Sequence, residues 1–277
     1  VPGRGYALRQ APEWLDAAAI RDAMPPAARD ALAALDIAWT LDSTNSELLR
    51  RAVPARGCAV LLAERQTGGR GRRGRSWESP LAAHVYLSVA RQFEGGLARL
   101  GGLSLVAGIA ACEALHGLGF RQVALKWPND LVVADGDGLR KLGGLLVEGG
   151  GEAAGAARAV VGIGLNVRMP AAVANGIDQP WIDLQAMDPA VSRNAVVAAV
   201  LGALLPALAR FDAEGLAPFL PRYAAHDALA GRRVRVHDAA STWEAQALGI
   251  AEDGALRVRT DDGDERRVHA ADVSVRA

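Results

Sequence analysis

Between Val123 and Val167 four short strand-like runs follow one another: Val123–Trp127, Leu131–Val133, Leu142–Glu148 and Ala159–Val167. Only Gly- and Asp-rich turns separate them, so they read as an antiparallel meander. Two long segments with apolar residues at helical spacing, Arg99–Leu118 and Asn194–Ala213, flank that meander. Strands and helices otherwise interleave without a regular βαβ rhythm. The expected fold class is therefore α+β, a mixed β-sheet covered by helices, rather than a doubly wound sheet.

The rest of the chain fits around this centre. Trp14–Met24 and Ala27–Leu35 read as short helices broken by Pro25-Pro26, and Ile37–Leu41 as a strand. Thr44-Asn45-Ser46-Glu47 has capping-box spacing and predicts a helix through Ala52. Ala59–Ala63 and His84–Val89 are further strands, separated by the polar, Gly- and Arg-rich loop Gln66–Pro80. After Gly231 the texture changes to short alternating runs, Arg232–His237, Glu244–Ile250, Ala255–Thr260 and Arg266–His269, with Asp/Gly turns between them. Three units are expected: a leader over 1–36, a main domain over 37–230 and a small all-β domain over 231–277.

Charge and cysteine content narrow the partners. The 31 basic and 31 acidic residues cancel, so any polyanion must be met by a local cluster. Two cysteines, Cys58 and Cys112, make neither a disulfide framework nor a CxxC pair, which suits a reducing cytoplasm. The five histidines lack HxxxH spacing, so a His-based metal site is not expected. The apolar runs Leu100–Cys112 and Ala195–Ala209 fall short of the ~20 residues of a membrane span. No membrane partner and no secretion signal are expected.

Three kinds of residue point to chemistry. Gly69-Arg70-Gly71-Arg72-Arg73-Gly74-Arg75 contains GxGxxG, but Ser76–Pro80 opens no helix after it, which argues against a dinucleotide site. A flexible basic flap that closes on phosphate or carboxylate fits better. Of the 31 basic residues only two are lysines, Lys126 and Lys141, so each is a candidate for a position where a compact ammonium serves and a guanidinium does not, set against the chance placement of two lysines. Lys126 ends a predicted strand and leads into Pro128-Asn129-Asp130. Asn45, in Asp42-Ser43-Thr44-Asn45, reads equally well as a helix start. Asn166, in Gly162–Val167, falls in a predicted strand, where a buried amide must find partners or a ligand.

In order along the chain, Asp42–Asn45, Ala63–Gln66 with the Gly69–Arg75 loop and Trp77, Lys126–Asp130, Lys141–Glu148 and Gly162–Val167 resemble the biotin protein ligases. The resemblance covers roughly residues 37–277. It implies a class II synthetase-like biotin/lipoate ligase domain followed by a small SH3-like β-barrel. It also implies two steps: biotin and Mg²⁺-ATP give biotinyl-5′-adenylate, and a lysine of the biotin carboxyl carrier protein of acetyl-CoA carboxylase then takes the biotinyl group. Carried over, Ser43, Thr44, Asn45 and Gln66 would contact biotin, and Arg70, Gly71 and Arg72 would form the flap. Lys126 would lie between the biotin carboxylate and the α-phosphate, with Arg70 and Arg72 beside it as catalytic residues. Asn129, Asp130, Lys141, Asn166 and Trp181 would serve ATP, and no residue is assigned as a metal ligand. Some family members also carry a DNA-binding winged helix. Gly3–Leu8 resembles the last strand of such a wing, but no helix-turn-helix precedes it here, so DNA binding is not expected of this chain. A homodimer is a further expectation of the resemblance. A lipoate ligase, the rival enzyme reading, is disfavoured by the arginine loop.

Overall fold

The computed structural model describes residues 12–151, 156–237, 241–269 and 272–275. Its main sheet has seven strands in the order β1-β2-β3-β7-β6-β5-β4. These are β1 Leu32–Leu41, β2 Cys58–Gln66, β3 Val85–Phe93, β4 Val123–Lys126, β5 Asp130–Asp135, β6 Gly138–Gly151 and β7 Ala157–Leu165. The meander is present, since β4 through β7 pair antiparallel in succession. Only β1 and β2 run parallel, joined through helix α3, Thr44–Arg50. The sheet is mixed and covered by helices, as the sequence implied.

Helices α4, Leu103–Gly117, and α6, Arg193–Glu214, separated along the chain by the one-turn α5, Ala171–Ala174, pack on each other and on one face of the sheet. α4 is buried over eleven of its positions, among them Leu103, Val106, Ile109 and Leu115. The helical segments Leu97–Gly117 and Arg193–Glu214 run 21 and 22 residues, longer than the apolar runs inside them. By length and composition alone each would pass for a span. More than half of each is buried, which is how a core helix between a sheet and its neighbour satisfies an apolar surround.

The N-terminal reading needs correction. The expected helix Ala27–Leu35 ends early: α2 is Pro26–Asp30, after α1 at Ala17–Ala23, and the chain is already in β1 at Leu32. Pairing decides this, because Leu32 lies opposite Cys58 and Leu35 opposite Val60 in the parallel ladder. The resulting backbone bonds and burial of Leu35 outweigh a weak local helix preference. Behind β2 and β3 an ion pair is sealed from solvent. Arg193 Nη1 lies 2.8 Å from Glu64 Oε2, with both side chains under 5% exposed. The remaining guanidinium donors go to the carbonyls of His84 and Glu13, and Glu64 also accepts from the backbone N–H of Leu15.

The C-terminal sheet, order β11-β10-β9-β8-β12, is antiparallel throughout. β8 is Arg233–His237, β9 Thr242–Ile250, β10 Leu256–Arg259 and β11 Glu265–Val268. A fifth strand, β12 at Asp272–Val275, pairs with β8 and was not expected from so short a run. The indole N–H of buried Trp127 donates to Gly254 O at 3.0 Å, tying this sheet to the end of β4. The wing-like segment Gly3–Leu8 lies outside the described residues.

Candidate active site

The site begins where β1 ends. Ser43, one residue before the expected cap, is the N-cap of α3, and its hydroxyl accepts from Ser46 N–H. This releases Thr44 and Asn45 from capping and turns them inward, where Ser43, Thr44 and Asn45 are each 4% exposed. Gln66 Oε1 accepts from Thr44 N–H at 2.9 Å and from its hydroxyl at 3.2 Å. The hydroxyl of Ser88 on β3 lies 2.7 Å from Thr44 Oγ1 and 2.6 Å from Asn45 Oδ1. Asn45 Nδ2 donates to Leu146 O and Glu148 Oε2 on β6. The result is an uncharged polar shelf whose side chains are locked against one another.

Two glycines of β7 make room for it. A methyl at Gly162 would stand 2.3 Å from Asn45 Oδ1, and one at Gly164 would stand 2.6 Å from the Trp77 ring. Only bare backbone lets the asparagine and the indole lie this close to the strand. Trp77 is fixed from the other side by the loop, because its backbone N–H donates to Gly69 O at 2.9 Å. Its ring also sits under Lys141 Nζ, 5.7 Å from the centroid.

The arginine loop forms no helix beyond one 3₁₀ turn, Arg72–Gly74, which removes the dinucleotide reading. Its neck is closed by Gly71 N–H to Arg75 O at 2.7 Å. Arg70 Nη2 donates to Ser46 Oγ at 2.9 Å and pairs with Glu148 at 3.3 Å. Arg72 Nη1 donates to Asn129 Oδ1 at 3.2 Å, bringing the loop onto the β4–β5 turn.

That turn presents the two lysines. Lys126 lies opposite Asp130 across the β4–β5 hairpin, and their charged atoms are 3.9 Å apart. Lys141 Nζ, reaching in from β6, is 2.8 Å from the other oxygen of Asp130. One carboxylate thus holds two ammonium groups side by side. Asn129 is anchored by its Nδ2 to Leu145 O and faces the loop with its Oδ1. A cleft of about 270 Å³ opens among these parts; among the described residues, Arg70, Arg72, Arg75, Lys126 and Lys141 line it with one carboxylate, Asp130. The positive charge gathered by these described side chains suits an anionic ligand.

Eleven of the thirteen residues singled out from the sequence line this cleft: Ser43, Thr44, Asn45, Gln66, Arg70, Gly71, Arg72, Lys126, Asn129, Asp130 and Lys141. Asn166 and Trp181 lie in a smaller adjoining cavity of about 60 Å³ that shares Trp77, Lys141 and Gln179 with it. Asn166 follows β7 and donates from Nδ2 to Lys141 O and Ile182 O, so its amide finds protein partners that hold the Trp181 segment beside β6. Ser88, Glu148 and His237 were not anticipated. A serine inside the apolar run Val85–Ala90 and an acid closing Leu142–Glu148 were the available signals. His237, with Ser274, reaches the cleft from the C-terminal sheet, and only the packing of that sheet reveals it. Tyr86 also lines the cleft; burial pushes its phenol up, and it donates to Pro80 O.

Residues 38–166 match the biotin/lipoate A/B protein ligase family, and residues 230–276 match the biotin protein ligase C terminal domain. The bifunctional ligase/repressor BirA of Salmonella typhimurium is 39% identical over 261 residues, 94% of this chain and 78% of that protein. The biotin–[acetyl-CoA-carboxylase] ligase of Paracoccus denitrificans is 34% identical over 230 residues, 79% of this chain and 91% of its own length. Among solved structures, the biotin protein ligase of Aquifex aeolicus in complex with biotin and ATP superposes with a TM-score of 0.72 at 26% identity, covering 88% of this chain and 99% of that one. With the fold, the polar shelf and the cationic cleft in agreement, this chain belongs to the biotin/lipoate protein ligase family and is a biotin ligase.

Proposed function

We propose that this chain activates biotin as biotinyl-5′-adenylate and passes the biotinyl group to a lysine of the biotin carboxyl carrier protein of acetyl-CoA carboxylase. The observation that carries this reading is the convergence of Lys126, Lys141, Arg70 and Arg72 on one cleft beside an uncharged polar shelf. A carboxylate attacking a triphosphate must overcome like-charge repulsion, and positive groups fixed in place supply that without reorganising. Ser43, Thr44, Asn45 and Gln66 would hold the biotin ring system through their preformed hydrogen-bonding groups. Lys126 would bridge the biotin carboxylate and the α-phosphate, with Arg70, Gly71 and Arg72 folding over both. In the first step a biotin carboxylate oxygen bonds to the α-phosphorus as the bond to pyrophosphate breaks. In the second the carrier amine attacks the acyl carbon, AMP departs, and the amine gives its proton to solvent.

Asn129, Asp130 and Lys141 would serve the nucleotide, with Asn166 and Trp181 in the adjoining cavity taking its ribose and adenine end. The cleft's donor set fits Mg²⁺ carried in with ATP. Asp130 offers a carboxylate and Asn129 an amide oxygen, and Mg²⁺ commonly takes one or two protein oxygens and fills the rest with phosphate and water. When bound, the ion would offset phosphate charge. The small C-terminal unit is placed at 231–277, and its His237 and Ser274 close one wall of the cleft. A homodimer through the free edge of β1 and a cytoplasmic setting complete the reading, supported by exposed Trp39 on that edge and by two free cysteines. Pyrophosphate release should require biotin and Mg²⁺-ATP together, and label should reach a carrier domain from biotin. Release driven as well by lipoate, or none with biotin, would overturn the proposal.

A further inference from the structure

Away from the cleft, at the opposite end of β4, three metal-ligating side chains meet. Cys112 and His116 are one turn apart on α4 and share a face. His226 arrives from the last turn of α7, Leu220–His226. One donor atom from each lies within 4.8 Å of the others. We infer that Cys112, His116 and His226 form a binding site for a zinc-class divalent ion, distinct from the ligase cleft.

Geometry is the first support. Tetrahedral zinc with sulfur at about 2.3 Å and nitrogen at about 2.05 Å sets S···N edges of about 3.5 Å. Cys112 Sγ and His116 Nε2 are 3.6 Å apart. Bringing the third donor in from as far as 4.8 Å requires about 1.5 Å of movement, and His226, with its side chain 17% exposed, can rotate to give it. The donor set is the second support, since thiolate and imidazole together select zinc over magnesium or calcium. The surroundings are the third. Glu113 Oε1 stands 3.7 Å from His226 Nε2, just beyond hydrogen-bond reach, and is itself held by Arg222, so a small rotation of His226 can close the contact by which a carboxylate orients a metal-bound histidine through its non-ligating nitrogen. Without metal, Cys112 Sγ and His116 Nε2 both donate to Val123 O, at 3.4 and 2.7 Å. Binding therefore moves the His116 proton to Nδ1 and releases the Cys112 proton to solvent. Burial, with Glu113 beside it, pushes that thiol up to about 12, so the ion must displace its proton.

The site would staple three elements. Val123 starts the strand that ends at Lys126, and α7 leads directly into Asp227 and Ala228, which pair with Leu125. The bound ion would fix the Lys126 strand against the approach to the C-terminal sheet, and it takes no part in the ligase chemistry.

The test uses the whole chain stripped with chelator and titrated with Co²⁺, then Zn²⁺. One Co²⁺ per chain should bind with a thiolate charge-transfer band and the strong visible bands of four-coordinate cobalt, and Zn²⁺ should displace it. Cys112→Ser should abolish the charge-transfer band, while Cys58→Ser should keep it. His226→Asn, at a partly exposed position that threatens folding least, should weaken binding by more than about 100-fold, beyond the 10–100-fold that an outer hydrogen bond is worth. Assayed with Mg²⁺-ATP but no zinc or cobalt, biotin transfer by the variants should stay within about twofold of the equally stripped parent. No cobalt band in the parent chain, or a band that survives Cys112→Ser, would overturn the site. Loss of ligase activity in every zinc-free protein supplied with Mg²⁺-ATP, the parent included, would overturn the separation from the cleft.

Discussion

Gly164→Ala adds one methyl at the point where the strand and the indole touch. The new carbon would stand 2.6 Å from Trp77 Cε2, 2.7 Å from Cζ2 and 2.9 Å from Nε1. Ordinary carbon contacts lie at about 3.5–4.0 Å, so one side must retreat by about 1 Å. The strand cannot, because Gly164 is laddered to Tyr86 on β3 and to Gly144 on β6. The ring must move instead. Trp77 belongs to a loop and its buried Nε1 has no hydrogen-bond partner among the described residues, so stability should fall by about 1 kcal/mol, the lower end of the overpacking range. Function should suffer more. The ring lines the cleft beneath Lys141, and misplacement by 1 Å in such a site costs about 100-fold. We expect kcat/KM for biotin in a pyrophosphate-release assay to drop by about two decades, while the melting temperature moves only about 2–4 °C. Gly150→Ala, whose methyl would meet nothing within 4 Å among the described residues, is the control and should be near neutral in the same assay. If Gly164→Ala turns over within threefold of the parent chain, the close packing of Trp77 on β7 has no part in catalysis.

Lys126→Arg keeps the charge but replaces a compact ammonium with a planar fork, so adenylate formation should fall nearly as far as in Lys126→Ala; near-normal turnover would refute the bridging role. Arg72→Gly removes a charge-assisted contact worth roughly 1.5–3 kcal/mol, or one to two decades in retention of the adenylate. Streptavidin blots with a lysine-rich bystander protein should show it labelled by the variant, and a clean bystander despite adenylate synthesis would sink the containment role. Glu64→Ala strands the Arg193 guanidinium in the interior and should cost about 3–5 kcal/mol in urea titration; a loss under 1 kcal/mol would mean water reaches the pair. His84 is held neutral in the folded chain, its pKa lowered to about 3 by burial and then by the charge of Arg193. The unfolded chain takes up that proton near pH 6.5, so the stability this contributes is complete above about 6.5. It is lost at about 1.4 kcal/mol per unit as the pH falls toward 3. His84→Asn should flatten the slope between pH 6.5 and 5, and an unchanged slope there would assign it to other groups.

The sequence by itself determined the parts whose cause is local. Short Gly- and Asp-rich spacers leave four strands no connection but hairpins, so the meander of β4 to β7 was legible, as were the two core helices. The site was legible for a related reason. An arginine-rich chain that keeps two lysines, and a loop of alternating glycine and arginine, mark chemistry by residue type before any contact is known. Tertiary structure decided what depends on a partner distant in sequence. Leu32–Leu35 is strand because Cys58–Val60 lies alongside, and nothing within the segment says so. Thr44 and Asn45 face the cleft because Ser43 caps the helix and Gly162 leaves room, two facts over a hundred residues apart. Asp130 could be read as an acid near Lys126, but its grip on Lys141 exists only once β5 and β6 pair. The histidines were set aside for lack of HxxxH spacing, yet His226 meets Cys112 and His116 across a gap that only the packing of α7 on α4 closes. A side chain's type is written in the sequence, while its neighbours are set by burial and strand pairing, which act through space without regard to chain distance.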